Sequence, residues 1–152
     1  MADWKTNLAG LGIELPPVTA PVAVYVPAVQ ADSFVYTSGQ LPMVDGALQF
    51  AGKVGAEVSP EDAKSAAQIC ALNALAAVHD LVGLDAVVRI VKVVGFVASA
   101  PGFTGQPQVI NGASEFLGSV FGDAGVHARS AVGVSELPLG ASVEVELIAQ
   151  VR

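Results

Sequence analysis

The stretch SPEDAKSAAQICALNALAAVHDLVGLDAVVRIVKVVGFVAS, residues 59–99, holds a helix and a strand whose boundaries are written in local chemistry. Ser59 is placed to cap a helix N-terminus. Pro60 falls at the first helical position, where a missing N–H costs nothing, and Asp62 can complete a weak capping box. The alanine-rich run that follows predicts a long helix ending near Gly83. Residues 86–99, AVVRIVKVVGFVAS, then have the β-branched density of a buried strand, interrupted only by Arg89 and Lys92.

Working outward, PGFTGQP (101–107) breaks the pattern. Val109, Ala113, Phe116, Leu117, Val120 and Phe121 then recur at helical spacing, predicting a second amphipathic helix over 108–121 that stops at GDAG (122–125). Upstream, VAVYVPAVQ (22–30) and SFVYTSGQL (33–41) read as a hairpin across ADS (31–33), and VDGAL (44–48) supplies another turn. Residues 3–11 predict a short helix, set apart as an appendage by the prolines of LPPVTAP (15–21). At the other end ARSAVGV and SVEVE predict two strands, antiparallel across the tight LPLGA turn.

The order of strands, helix, strand, helix and two strands makes both helices crossovers between parallel strands. The expected architecture is α+β: a single domain with one mixed sheet and two helices packed on one face. The other face has no helix to cover it. Of the 152 residues, 53% are hydrophobic and 14% charged, so that bare face is expected to be buried against other subunits.

The formal charge of −7, with seven lysines and arginines scattered singly, argues against nucleic acid as a partner. A basic leader and a run of roughly 20 apolar residues are both missing, which sets the expectation of a cytoplasmic protein without a membrane partner. Cys70, the single cysteine, sits in the helical alanine pattern as a small core residue. Two histidines and one cysteine cannot close a zinc site, so no metal is expected. GLGIEL (10–15) lacks the third glycine and the preceding strand of a dinucleotide loop. Ser38 has no Gly-x-Ser-x-Gly elbow, and neither His79 nor His127 is a first choice for catalysis.

Arg129 is the chemically informative residue. Strand alternation puts it on one face with Ala131, Gly133 and Ser135, all small, while Val132 and Val134 face the other way. Small neighbours leave volume beside a long cation. Glu144 and Glu146 share a face of the last strand, opposite Val143, Val145 and Leu147. The plain reading is an ion pair tying two strands. Because those two strands run antiparallel across the tight turn, however, Arg129 and Glu144 lie at far ends, roughly 20 Å apart at strand rise, and should not touch within one chain. A site that uses both is then expected between subunits.

YTSGQLP (36–42) followed by ARSAVGVSELPLGASVEVE (128–146) resembles the reactive intermediate deaminase family, also called YjgF. Asn73 in the long helix, VVRIVKVVGFV (87–97), Asn111 near the start of the second helix and the interval from Arg129 to Glu144 match as well. The resemblance implies a chorismate-mutase-like fold in residues 22–152 after an N-terminal extension (1–21), and a homotrimer with a barrel-like centre and clefts between subunits. It implies that Arg129 grips a substrate carboxylate while Tyr25, Ser38, Gly39, Asn111, Ala131 and Glu144 line the cleft. The implied reaction is hydrolysis of 2-aminoacrylate and related imines to 2-keto acids and ammonia. No cofactor is implied, because an imine carbon is already electrophilic. The alternative is a non-catalytic trimer that binds small carboxylates. The chain departs from the family pattern at Ala131, often cysteine or threonine, at His127, commonly proline, and at AVY (23–25) in place of GPY.

Overall fold

A computed structural model describes residues 3–18 and 23–152. Helix α1 (Trp4–Gly10) leads into the hairpin β1 (Ala28–Ala31) and β2 (Phe34–Thr37), then the short ribbon β3 (Met43–Val44) and β4 (Ala47–Leu48). Helix α2 (Pro60–Val82), strand β5 (Val87–Ala98), helix α3 (Gln106–Phe121), and strands β6 (Ala128–Val134) and β7 (Val143–Val151) complete the chain. Five strands form one mixed sheet in the order β1-β2-β7-β5-β6, and β3 and β4 make a separate pair.

The local signals for α2 hold. Ser59 Oγ accepts the Asp62 N–H at 3.1 Å, Pro60 is the first helical residue, and Gly83 closes the helix at φ 78°, a conformation glycine adopts without strain. Helix α3 starts two residues earlier than 108, because Pro107 is tolerated in the first turn. All six residues of its predicted apolar stripe are buried. The hairpin strands are shorter than expected, since β1 begins only at Ala28.

Strand pairing departs from the sequence reading. The last two strands are not a hairpin: β5 lies between them, parallel to β6 and antiparallel to β7. The segment Pro138–Gly140 is a 3-10 turn, with Leu139 at φ 61°, that carries the chain over β5. Helix α3 is the crossover between neighbouring parallel strands, whereas α2 links β2 to β5 with β7 inserted between them.

The core lies between the sheet and the two helices. Alanines 63, 66, 67, 71, 74, 76 and 77 of α2 are buried, so this helix approaches both the sheet and α3 closely. It is long and apolar enough to cross a membrane by length and composition, but half of that stretch is packed inside the fold. Cys70 is fully buried among the alanines, and burial pushes its thiol well above the ordinary value. Helix α1 is no appendage. Asp3 caps it, Leu8 is 3% exposed and joins the core, and Asn7 Nδ2 donates to the Val120 carbonyl at 2.8 Å.

The tightest helix contact is at Gly112, where an added Cβ would strike the backbone carbonyl of Lys64 on α2. Backbone cannot rotate away as a side chain can, so the helices would have to separate. Gly112→Ala is therefore expected to destabilise the protein by about 1–3 kcal/mol, as overpacking does. Urea denaturation checks this; unchanged stability would mean that the two helices move apart freely.

Candidate functional site

Residues paired across neighbouring strands share a face, so the register sorts the expected site residues. Arg129 pairs with Val93, which is buried under the helices, and so stands on the helix-covered face with Ala131 and Gly133. Glu144 pairs with Phe96 on the opposite, helix-free face. Along β5 the two are only three residues apart, about 10 Å at strand rise, which corrects the larger separation expected from a hairpin. The sheet itself keeps them apart within one chain.

The first group forms around Arg129. Its Nη1 donates to Asn111 Oδ1 at 2.8 Å and to Ser114 Oγ at 3.2 Å. Asn111 and Ser114 are three residues apart on α3 and therefore lie on one side of that helix, facing β6. The ion pairs among the described residues, Lys53–Glu136 and Lys64–Glu115, do not involve Arg129. The half-buried guanidinium thus has neutral partners and keeps its charge for an anion. His127, on the same side of the chain two residues earlier, joins through Ser114: its Nε2 is 2.9 Å from Ser114 Oγ and its Nδ1 2.6 Å from the Gly125 carbonyl. Ser114 was not legible as a site residue, although its spacing from Asn111 was a usable signal.

The second group forms around Glu144. Its carboxylate lies against Gly39, where an added Cβ would collide with Oε2. Ser38 is fixed beside Gly39 by two bonds to the preceding strand segment: its Oγ donates to the Val26 carbonyl at 2.6 Å and its N–H to the Pro27 carbonyl at 2.7 Å. Tyr25 is on that same segment and is 58% exposed, free to be covered by a second chain. The Glu144 carboxyl is held above its ordinary value, first by burial and then by the charge of Glu146 two residues on. No cluster of three or more candidate metal ligands occurs among the described residues.

Residues 5–151 match the family model described as "YjgF/chorismate_mutase-like, putative endoribonuclease". The chain belongs to this family. Protein TCP17 of Trypanosoma cruzi is 44% identical over 148 residues, covering 96% of this chain and 92% of that one. A crystal structure of the Agrobacterium tumefaciens protein Atu1372, of unknown function, is 42% identical with a TM-score of 0.92, covering 98% of this chain and 92% of that chain. A crystal structure of a "putative endoribonuclease" from Shewanella oneidensis is 30% identical with a TM-score of 0.95, covering 98% and 99%. The two crystal structures each cover 98% of this chain, so their match takes in α1.

The raised Glu144 carboxyl has a consequence for stability. Its folded value lies above its unfolded one, so ionisation costs more in the folded state; the penalty is absent at low pH and appears as pH rises through the folded value. Glu144→Gln is accordingly expected to raise the melting temperature at pH 8, with the gain shrinking toward zero as pH drops into the ordinary carboxylate range. Melting curves from pH 4 to pH 8 test this. A gain that is constant with pH would place the cause outside ionisation.

Proposed function

We propose that this protein hydrolyses enamines and imines of the 2-aminoacrylate type to 2-keto acids and ammonia, in clefts between the subunits of a homotrimer. The observation that carries the reading is the half-buried Arg129, whose bonded partners are the neutral Asn111 and Ser114. A guanidinium binds a carboxylate through two parallel charge-assisted hydrogen bonds, which fixes the imine carbon attached to it. In this reading Ala131 borders the bound substrate. Glu144 of a neighbouring subunit, over Gly39 and near Ser38 and Tyr25, holds a water for attack at the imine carbon. An enamine first tautomerises to the imine, its methylene carbon gaining a proton as its nitrogen loses one. Water then adds to the imine carbon, its proton passing by way of Glu144 to the nitrogen. The tetrahedral carbinolamine expels ammonia as its hydroxyl proton moves to the nitrogen, and the keto acid leaves. No bond to the protein forms.

The helix-free face supports the trimer. Register places Val29, Tyr36, Val94, Phe96, Val132 and Ile148 on it, and Val29, Tyr36 and Val132 are 50%, 43% and 44% exposed. Apolar area of this kind favours association. In the same proposal residues 1–21 are an N-terminal addition, its helix α1 packed on the core that residues 22–152 build, and a cytoplasmic location belongs to it. The endoribonuclease description of the Shewanella relative is not extended to this chain, because its charge of −7 repels a phosphate backbone.

Ammonia release from freshly generated 2-iminopropanoate is the test. Wild type should accelerate it, Arg129→Ala should lose about 100-fold or more through lost orientation, and Glu144→Gln about 100-fold or more through lost general-base action. Sedimentation should give the mass of three chains. If pyruvate stabilises the wild type without any turnover, the carboxylate-binding trimer replaces the enzyme. If Arg129→Ala performs as wild type, neither reading survives.

A further inference from the structure

Ser114 and His127 have no part in the proposed chemistry, yet together they reach Arg129 from three directions in the fold. Ser114 comes from α3, His127 from the start of β6, and the carbonyl that anchors the imidazole from Gly125, at the end of the 3-10 turn Gly122–Gly125. That turn presses on α3 so closely that a Cβ on Gly125 would strike the Leu117 carbonyl. The anchor is therefore set by backbone packing.

The polarity of the chain of bonds follows from what each atom can do. A carbonyl only accepts, so His127 Nδ1 carries a hydrogen and points it at Gly125. In the neutral ring Nε2 is then an acceptor, and the single hydroxyl hydrogen of Ser114 is directed to it. The lone pairs of Ser114 Oγ are left to face Arg129 Nη1, whose other hydrogen goes to Asn111 Oδ1. Both hydrogens of Nη1 are thereby engaged. The Nε–H and Nη2–H, a parallel pair with the spacing of a carboxylate's two oxygens, have no partner among the described residues.

We infer that the His127–Ser114 pair is a positioning device that orients Arg129, through Nη1, so that a ligand carboxylate docks on the Nε–Nη2 edge of the guanidinium. The inference rests on the reading of Arg129 as a carboxylate clamp and assigns the two residues that aim it. Histidine suits the role better than an acid would. With Nε2 as the acceptor it fixes the serine hydroxyl without bringing a negative charge, whereas a carboxylate there would cancel the charge the ligand needs. Asn111 by itself leaves rotation about one bond free; the second bond to Ser114 removes it.

The experiment compares pyruvate with pyruvamide, which has the same shape without the carboxylate charge, by calorimetric titration of the intact protein. Wild type should prefer pyruvate. In Ser114→Ala and in His127→Phe the preference should fall about tenfold, the worth of one hydrogen bond to a charged group. In Ser114→Thr, which keeps the hydroxyl, it should return to near the wild-type value. A general loosening of the fold would weaken both ligands together and leave their ratio unchanged. If Arg129→Ala abolishes the preference while Ser114→Ala and His127→Phe keep it, the positioning role is overturned and the clamp stands. If Arg129→Ala prefers pyruvate as strongly as wild type, the clamp itself is wrong and the inference falls with it. Ser114→Ala, which removes one oxygen atom, decides the matter should His127→Phe not fold.

Discussion

A guanidinium bonded to neutral oxygens is the constraint around which the rest of this structure is arranged. Taking a charge half out of water is expensive, and chains ordinarily meet that expense with an opposite charge. Arg129 is instead bonded to an amide oxygen and a hydroxyl. Two dipoles satisfy donors without cancelling charge, so the field of the cation extends into whatever lies beside it. The fold supports this locally, since the small residues that share the face, Ala131 and Gly133, let α3 come near enough for Asn111 and Ser114 to reach it.

The sheet acts as a partition. Its helix-covered side carries Arg129, and its bare side carries Glu144, a carboxyl whose proton affinity is raised by burial and by an acidic neighbour. Groups on opposite sides of one sheet cannot serve one small molecule. Either they have unrelated roles or a second chain brings the two kinds of surface together, and the apolar side chains on the bare side favour the second. Strand β6 is an edge strand, which places Arg129 at the margin of the sheet, where a neighbouring chain can meet it.

What could be read from sequence was whatever is decided by neighbours along the chain. Ser59, Pro60 and Gly83 bound α2 through contacts within a turn, and the stripe from Val109 to Phe121 marks α3 by periodicity alone. Strand pairing is different. A tight LPLGA turn looks the same whether its strands pair with each other or straddle a third; here β5 lies between them, with buried residues along its length, and only tertiary burial decides that. Arg129, Asn111, Glu144 and Gly39 could be named from the family pattern. The Ser114–His127 connection could not, because it depends on a carbonyl at Gly125 whose placement comes from the packing of a 3-10 turn on α3.

The departure at Ala131 takes on a definite shape in this setting. An alanine at this position leaves room beside Arg129 on the helix-covered face, but the space is not open on every side. Toward the end of β6, a Cβ on Gly133 would come within 2.7 Å of Gln106 Nε2, and that amide is fixed by bonds to Ser99 Oγ at 3.1 Å and to the Phe103 carbonyl at 2.8 Å. Toward the start of β6, Ser114 and His127 are tied to each other and to the turn behind them. With both directions along the strand closed, the room beside Ala131 extends outward past the free edge of β6, where only a second chain could narrow it.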